Sequence, residues 1–595
     1  MNTNNFLLLN CAFICGAFAQ GVIGEFTAAP GADLSGSWSP VIHEDFPERI
    51  PGPELGDYLG LPITDGARLH ADSWSPSRLT LQEHQCRVHT SPYIYRGPLQ
   101  LRIWEEKDPE SQEIIAIRNY ISTYEQNRTI WMDGRPHPPD YAAHTWQGFS
   151  TGRWEGDMLT VYTTHIKKGW IRRNGLPQSD RATLTEHFIR HGDVLTHVAI
   201  LNDPIYLTEP LIKTQDFVRN VREGGNWLYP CEYVVEVADQ PAGEVPSFLP
   251  GENPFLKEFV TRHPMVPEQA ARGGAETMYP EYRLKLSAPS RYDPDLVPRG
   301  GDAEIHVLPV QGNVYMLVGA GGNITVQAGP QGVLLVDTQS AALSDKILAA
   351  IANLNKGKIR YILNTNADPD HTGGNENLRK AGITITGANV TGNIADARVG
   401  AALFAHENVL KRMSAPTGSQ PPTPAGAWPT ETFVNGQKEL YFNDESLQMI
   451  HQPAAHTDGD SIVYFRRSDV ISAGDILRTD SYPVIDLQRG GSVQGLIAGL
   501  NRILDIAIPK HEQEGGTMVI PGHGRLCDEA DVVEYRDMVT IIRDRVQAMI
   551  KKGSTLEQVK AAKLTADYDA EYGASTGAWT TDMFVEAVYR SLKSR

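Results

Sequence analysis

Four times between residues 359 and 523 an apolar strand meets a glycine-containing loop that carries histidine or carboxylate. The strand Ile359 to Leu363 runs into Asn364-Thr365-Asn366-Ala367-Asp368-Pro369-Asp370-His371-Thr372-Gly373-Gly374. His456 lies in the loop Pro453 to Asp460, ahead of the strand Ser461 to Phe465. Asp475 ends the strand Val470 to Gly474, and His523 ends Val519-Ile520-Pro521-Gly522-His523-Gly524. Such junctions collect along one edge of a sheet, where α/β folds place their sites. Alternate residues of an extended segment share a face, so Asn366, Asp368 and Asp370 aim at one centre. Gly373 and Gly374 let the chain turn sharply into the next helix.

The rest of the chain divides by texture. At 595 residues it is too long for one core, since domains average roughly 150 residues. Residues 30–235 hold eight of the ten tryptophans and short alternating runs such as Met158-Leu159-Thr160-Val161-Tyr162, which predicts a β-rich N-terminal domain. Residues 236–303, rich in Pro, Gly and Arg, read as an extended linker. From residue 304 onward strands such as Val333 to Val336 alternate with helical stretches such as Ser344 to Leu354, which is α/β organisation. Apolar positions from Val532 to Ile550 predict a helix over 529–551 with Asp528 as its cap.

A net charge of −18 argues against a nucleic-acid partner, because phosphate-backbone affinity is built on Lys and Arg. Residues 1–19 read as a signal peptide: Phe6 to Ala19 is apolar, too short to span a bilayer, and ends in Ala17-Phe18-Ala19. The expectation is a periplasmic or secreted protein with no integral membrane span once that segment is removed. Cys86 and Cys231 are then candidates for a disulfide, leaving Cys527 as a free thiol. No CxxC spacing supports a zinc finger or an iron–sulfur cluster.

The ordered ligand-bearing loops make residues 304–595 resemble the metallo-β-lactamase superfamily, an αββα sandwich of metal-dependent hydrolases. Its pattern is His-x-His-x-Asp-His, then a histidine, a bridging carboxylate and a final histidine. By that resemblance Asp370, His371 and His523 serve the second metal site, His456 the first, and Asp475 bridges both. Asp337 matches a structural aspartate early in the fold, and Asp370 also carries the catalytic expectation of orienting the metal and handling a proton. Asp rather than Cys or Ser at position 475 makes the domain similar to the glyoxalase-II-like hydrolases. Asn366 and Asp368 depart from the pattern, standing where it has its first two histidines. Either they form a remodelled first site, whose oxygen ligands favour harder ions, or that site is empty.

The resemblance thus implies one or two divalent ions, zinc foremost and manganese or iron as alternatives. It also implies a small-molecule substrate with an ester, thioester, lactone or amide bond, attacked by metal-activated water. Two rival readings are a catalytically decayed hydrolase that serves as a binding or scaffold protein, and an iron-dependent oxidoreductase. His406, Asp460, Tyr482 and Asp486 are further residues near the loops: His406 and Asp460 read as structural, while Tyr482 and Asp486 are placed to reach substrate. The N-terminal domain, opening on Asp33-Leu34-Ser35-Gly36-Ser37-Trp38, is similar to bacterial secreted modules of uncharacterised activity, which implies a β-barrel-like module; its tryptophans read either as core, with His137 and His144 as polar partners, or as exposed rings lining a ligand pocket. Substrate identity and oligomeric state are not set by the sequence.

Overall fold

Thr183–His191 and Val194–Asn202 bury every second side chain, the period-two signature of strands with one covered face. They pair antiparallel across Gly192, whose φ of +63° suits the tight turn. A computed structural model describes residues 32–42, 45–49, 52–221, 228, 230–237, 243–274, 304–384, 400–416, 421–511 and 513–593. Among these, nine such strands close into a barrel, with Gly36–Pro40 hydrogen-bonded to both Leu211–Arg219 and Leu101–Lys107. Trp38, Phe188 and Phe217 fill its interior, each at most 1% exposed. Arg128 is buried there too, donating to Glu186, Tyr95 Oη, Ser150 Oγ and Thr163 Oγ1. A charge so deep is tolerated because its donors are satisfied, so the barrel is a filled core. Trp74 and Trp146 are also buried, whereas Trp104 lies on the surface. His137 bonds Thr164 and Thr151, and His144 bonds the Ile166 carbonyl.

The 236–303 segment departs from the extended linker read in the sequence. Over 243–274 it forms the short helices Glu258–Arg262 and Glu268–Ala271 and packs on the first domain. Phe248 N–H donates to Ser73 O and Asn253 Nδ2 to Asp72 O, both at 2.8 Å. Burial of Val245 and Ala271 supplies the apolar contact that a free linker lacks. Residues 275–303, and the proposed signal segment 1–19, lie outside the described residues.

The second domain is a four-layer sandwich. One sheet runs His306–Gln311, Val314–Val318, Ile324–Gly329, Gly332–Val336, Ile359–Leu363, Ala402–His406, Glu431–Phe433. The other runs Gln437–Phe442, Glu445–His451, Ser461–Phe465, Val470–Arg478, Met518–His523, Cys527–Asp528. All of Gly332–Val336 is buried because both its faces are covered. Leu334 and Val336 meet Phe465 and Ile520 of the opposite sheet, and Val333 and Leu335 pack with Ile347 and Ile351 of the helix Ser344–Leu354. Helices Val493–Leu504, Glu529–Lys551 and Thr581–Lys593 cover the outer face of the other sheet. Asp528 and Asp531 form a capping box at the start of Glu529–Lys551.

The two domains dock through buried ion pairs. Lys167 Nζ lies 2.7 Å from Asp528 Oδ1 and 3.0 Å from Asp531 Oδ2, and Arg525 bridges Asp180 and Asp531 at 2.8 Å each. Cys86 and Cys231 are disulfide-bonded, and Cys527 is free and buried. Among the described residues no helix is long and apolar enough to cross a membrane.

Candidate metal centre

The centre sits where the facing strands end. Asp370 and His371 enter on the one-turn helix Pro369–Thr372 that follows Ile359–Leu363. His523 closes Met518–His523. Asp475 does not end its strand as the sequence suggested: the strand continues to Arg478, and Gly474 marks an irregularity in its pairing with Met518–His523. Gly474 has φ +53° and a Cβ there would lie 2.7 Å from Thr365, so the bulge needs glycine and turns Asp475 inward.

His371, Asp475 and His523 converge on one point. His371 Nε2 lies 3.2 Å from Asp475 Oδ2, and His523 Nε2 lies 3.1 Å from Asp370 Oδ2 and 3.5 Å from Asp475 Oδ1. His371 Nε2, His523 Nε2 and Asp475 Oδ1 are all buried without a hydrogen-bond partner of acceptable geometry. Leaving three such atoms buried without partners is costly, and a bound cation removes that cost; Arg478 Nη1, 3.6 Å from Asp475 Oδ1, answers it only in part. Around a tetrahedral ion with bonds of about 2.0–2.1 Å, adjacent donors stand about 3.3 Å apart. The observed separations bracket that value, so Asp370, His371, Asp475 and His523 fit a divalent metal. Gly522 keeps the space open, since a Cβ on it would fall 2.6 Å from Asp475 Oδ1.

Asp337 orients His371. Its Oδ2 lies 2.8 Å from His371 Nδ1, which leaves Nε2 free to face the centre. Asp337 also accepts from Thr365 N–H and Thr365 Oγ1. Burial opposes charge on His371, but the Asp475 and Asp337 carboxylates outweigh it and hold its pKa well above the ordinary range. Asp475 is held well below its ordinary value: burial works against ionisation, and His371 and His523 overcome it.

Asn366, Asp368 and His456 are arranged differently. Asn366 Oδ1 accepts from Asp368 N–H at 2.8 Å, which fixes its amide and points Nδ2 at Asp475 Oδ2, 3.3 Å away. It therefore presents a donor to the centre. Asp368 Oδ2 meets His456 Nε2 at 3.0 Å, and Asp368 Oδ1 is taken by Arg489. Despite burial, His456 and Arg489 bring Asp368 down to about 2, and the bond to Asp368 lifts His456 to about 10. His456, Asp368 and Arg489, with Asp486 on Arg489, form an ion-paired chain whose charges are already matched.

The remaining candidates fall outside the centre or support it. Asp460 accepts from Thr457 N–H and Oγ1 and so fixes the His456 loop. His406 caps the helix Glu407–Ser414 and stacks on His451 at 3.6 Å. Tyr482, read as able to reach substrate, is instead buried, stacked on Phe584 and bonded to Asp569. Asp486, read in the same way, accepts from Gln488 and Arg489 N–H and pairs with the Arg489 side chain at 2.6 Å. Arg489 was missed in the sequence, because nothing local marks an ion pair to a residue 121 positions away.

Residues 307–523 match the family model of the metallo-beta-lactamase superfamily. This segment is a metallo-beta-lactamase superfamily domain. No curated protein matches the chain. The stereoselective inverting sec-alkylsulfatase Pisa1 from Pseudomonas sp. is similar at 17% identity and a TM-score of 0.35, over 48% of this chain and 50% of that one. The chain thus spans about half the length of that sulfatase. The metallo-beta-lactamase from Pontibacter korlensis is similar at 14% identity and a TM-score of 0.30, over 40% of this chain and 99% of that one.

Within the superfamily domain, Asp337→Asn tests the support of His371. Asp337 has φ +65°, a conformation asparagine also tolerates, so the backbone is kept while the charge is lost. Zinc affinity measured by competition with a chelator should fall about 10–100-fold, the usual effect of losing an outer partner of a ligating histidine. Unchanged affinity would show that Asp337 only braces the Thr365 loop.

Proposed function

We propose that the chain is an exported metallo-hydrolase with one catalytic metal, held by Asp370, His371, Asp475 and His523, acting on an ester, thioester, lactone or amide bond of a small molecule. The observation that carries this reading is the convergence of Asp370, His371 and His523, whose ligand atoms lie within 4.8 Å of one another, beside Asp475, with His371 Nε2, His523 Nε2 and Asp475 Oδ1 buried and without a hydrogen-bond partner. When bound, a divalent ion there supplies acidified water and polarises the scissile carbonyl. Asp370 is the most open of the four, its side chain 41% exposed against 2% for Asp475. That exposure suits it to meet the substrate side and take a proton. Asp368, His456 and Asp475 also bring ligand atoms within 4.8 Å of one another, but Asn366 offers an amide N–H₂ there and Asp368 is already paired with His456 and Arg489, so a second ion would have to displace those pairs. The Asp368–His456–Arg489 chain instead ties the loops of Asp368, His456 and Arg489 together beside the centre. The Cys86–Cys231 bond supports export, since disulfides persist in oxidising compartments.

The test is a panel of esters, thioesters, lactones and amides with zinc-, manganese- and iron-loaded protein. Turnover should appear with at least one substrate class, vanish on chelation and return on adding the metal. A folded, metal-loaded protein inert across the panel would favour the binding-protein reading, which the charge-matched first site also suits. Oxygen consumption by the iron form alone would favour oxidoreductase chemistry.

A further inference from the structure

A cavity of about 320 Å³ lies between the barrel domain and the C-terminal helices, and no ligand of the metal centre lines it. Its size is at the lower end for small-molecule sites. Its walls include Trp146, Trp170, Tyr124 and Tyr206. One wall is the segment 230–237, tied down by the Cys86–Cys231 disulfide and by Val234, which exchanges two hydrogen bonds of 2.7 and 2.8 Å with the Gln85 side chain. The cavity is therefore preformed.

Arg78 lines this cavity and is only 6% exposed. Its Nε is buried with no hydrogen-bond partner, and among the described residues no carboxylate forms an ion pair with it. The other buried charges on the wall are matched, Arg87 with Glu534 and Lys168 with Glu571. Asp537, which feels the Arg78 charge, is bonded to His84 and Arg536 instead. Burial pushes His70 down to about 4 and His89 to about 3, so both are neutral near pH 7 and add no further positive charge to the wall. Glu232 and Glu236 are exposed to solvent. A buried guanidinium without an anion is costly, and an incoming anion removes that cost.

We propose that this cavity is a second ligand site, separate from the metal centre, for a small flat organic acid. Its carboxylate pairs with the guanidinium fork of Arg78, a geometry that arginine and carboxylate match in two parallel bonds. Its ring lies among the tryptophan and tyrosine walls. The inference is independent of the hydrolase reading.

The test uses the full, disulfide-bonded chain with benzoate as the probe and benzyl alcohol as its uncharged counterpart, followed by thermal melting and tryptophan fluorescence. Benzoate should raise the melting temperature saturably, as any ligand specific to the folded state does. Benzyl alcohol should bind at least about tenfold more weakly. Arg78→Met should weaken benzoate at least about tenfold, yet melt at or above the wild-type temperature without ligand, because it removes an unpaired charge. Arg78→Lys, which keeps the charge and loses the fork, should fall between. No saturable shift up to about 10 mM benzoate, equal binding by Arg78→Met, or an Arg78→Met chain that is less stable than wild type would each overturn the proposal.

Discussion

His523→Ala is expected to lose the metal of the proposed centre, and turnover with it. Structural zinc sites release about 10–16 kcal/mol over four ligands, so each ligand accounts for about 3 kcal/mol, or about a hundredfold or more in affinity. Alanine also leaves Asp475 Oδ1 facing an empty volume, since His523 Nε2 lies 3.5 Å from it. The expected result is a folded chain whose zinc affinity drops by about a hundredfold or more and whose hydrolysis is undetectable at substoichiometric zinc. His406→Ala, outside the centre, should keep both. Wild-type zinc affinity in His523→Ala would remove His523 from the ligand set.

Lys167→Met should be the most destabilising single change at the domain interface. Lys167 is 1% exposed and neutralises Asp528 and Asp531, themselves buried and close together. Methionine fills the volume but leaves carboxylates buried with too little positive charge, and breaking a buried pair from one side costs about 3–5 kcal/mol. Arg525 still answers Asp531, so Asp528 bears the loss. Lys380→Met, which removes an exposed pair with Glu376, should change stability by about 0.5 kcal/mol or less. Denaturant unfolding of the two variants beside wild type checks the contrast. A Lys167→Met chain as stable as Lys380→Met would mean that water already reaches Asp528.

Much of the second domain is legible in the sequence because its signals are local. The apolar positions of 529–551 repeat at helical spacing, and the helix is Glu529–Lys551 with the Asp528 cap. The run Val333 to Val336 reads as a strand because it is continuously apolar, and the structure buries every residue of it. Gly474 misled for a physical reason: glycine marks a strand end and a bulge alike, and only the pairing of Ser472 with Ile520 and Gly474 with Pro521 tells them apart. The barrel was implied by the resemblance of the segment opening at Asp33 to Trp38, but its closure was not legible from residue patterning. It depends on Gly36–Pro40 meeting Leu211–Arg219, a contact between segments far apart in the chain that period-two alternation does not encode. In the centre, residue types and order point to Asp370, His371, Asp475 and His523. What Asn366 does depends on which way its amide is turned, and that is set by the Asp368 N–H. Arg489 became visible only once the fold brought it to Asp368.

The measurement that bears most directly on the one-metal centre is elemental mass spectrometry of the full chain after saturation with zinc and removal of loosely held ions. The arrangement of Asp370, His371, Asp475 and His523, with Arg489 on Asp368, predicts one zinc per chain. Two zinc ions would mean that Asp368 and His456 leave their ion pairs to bind metal, and none would mean that the three unpartnered donors do not form a site; either contradicts the account.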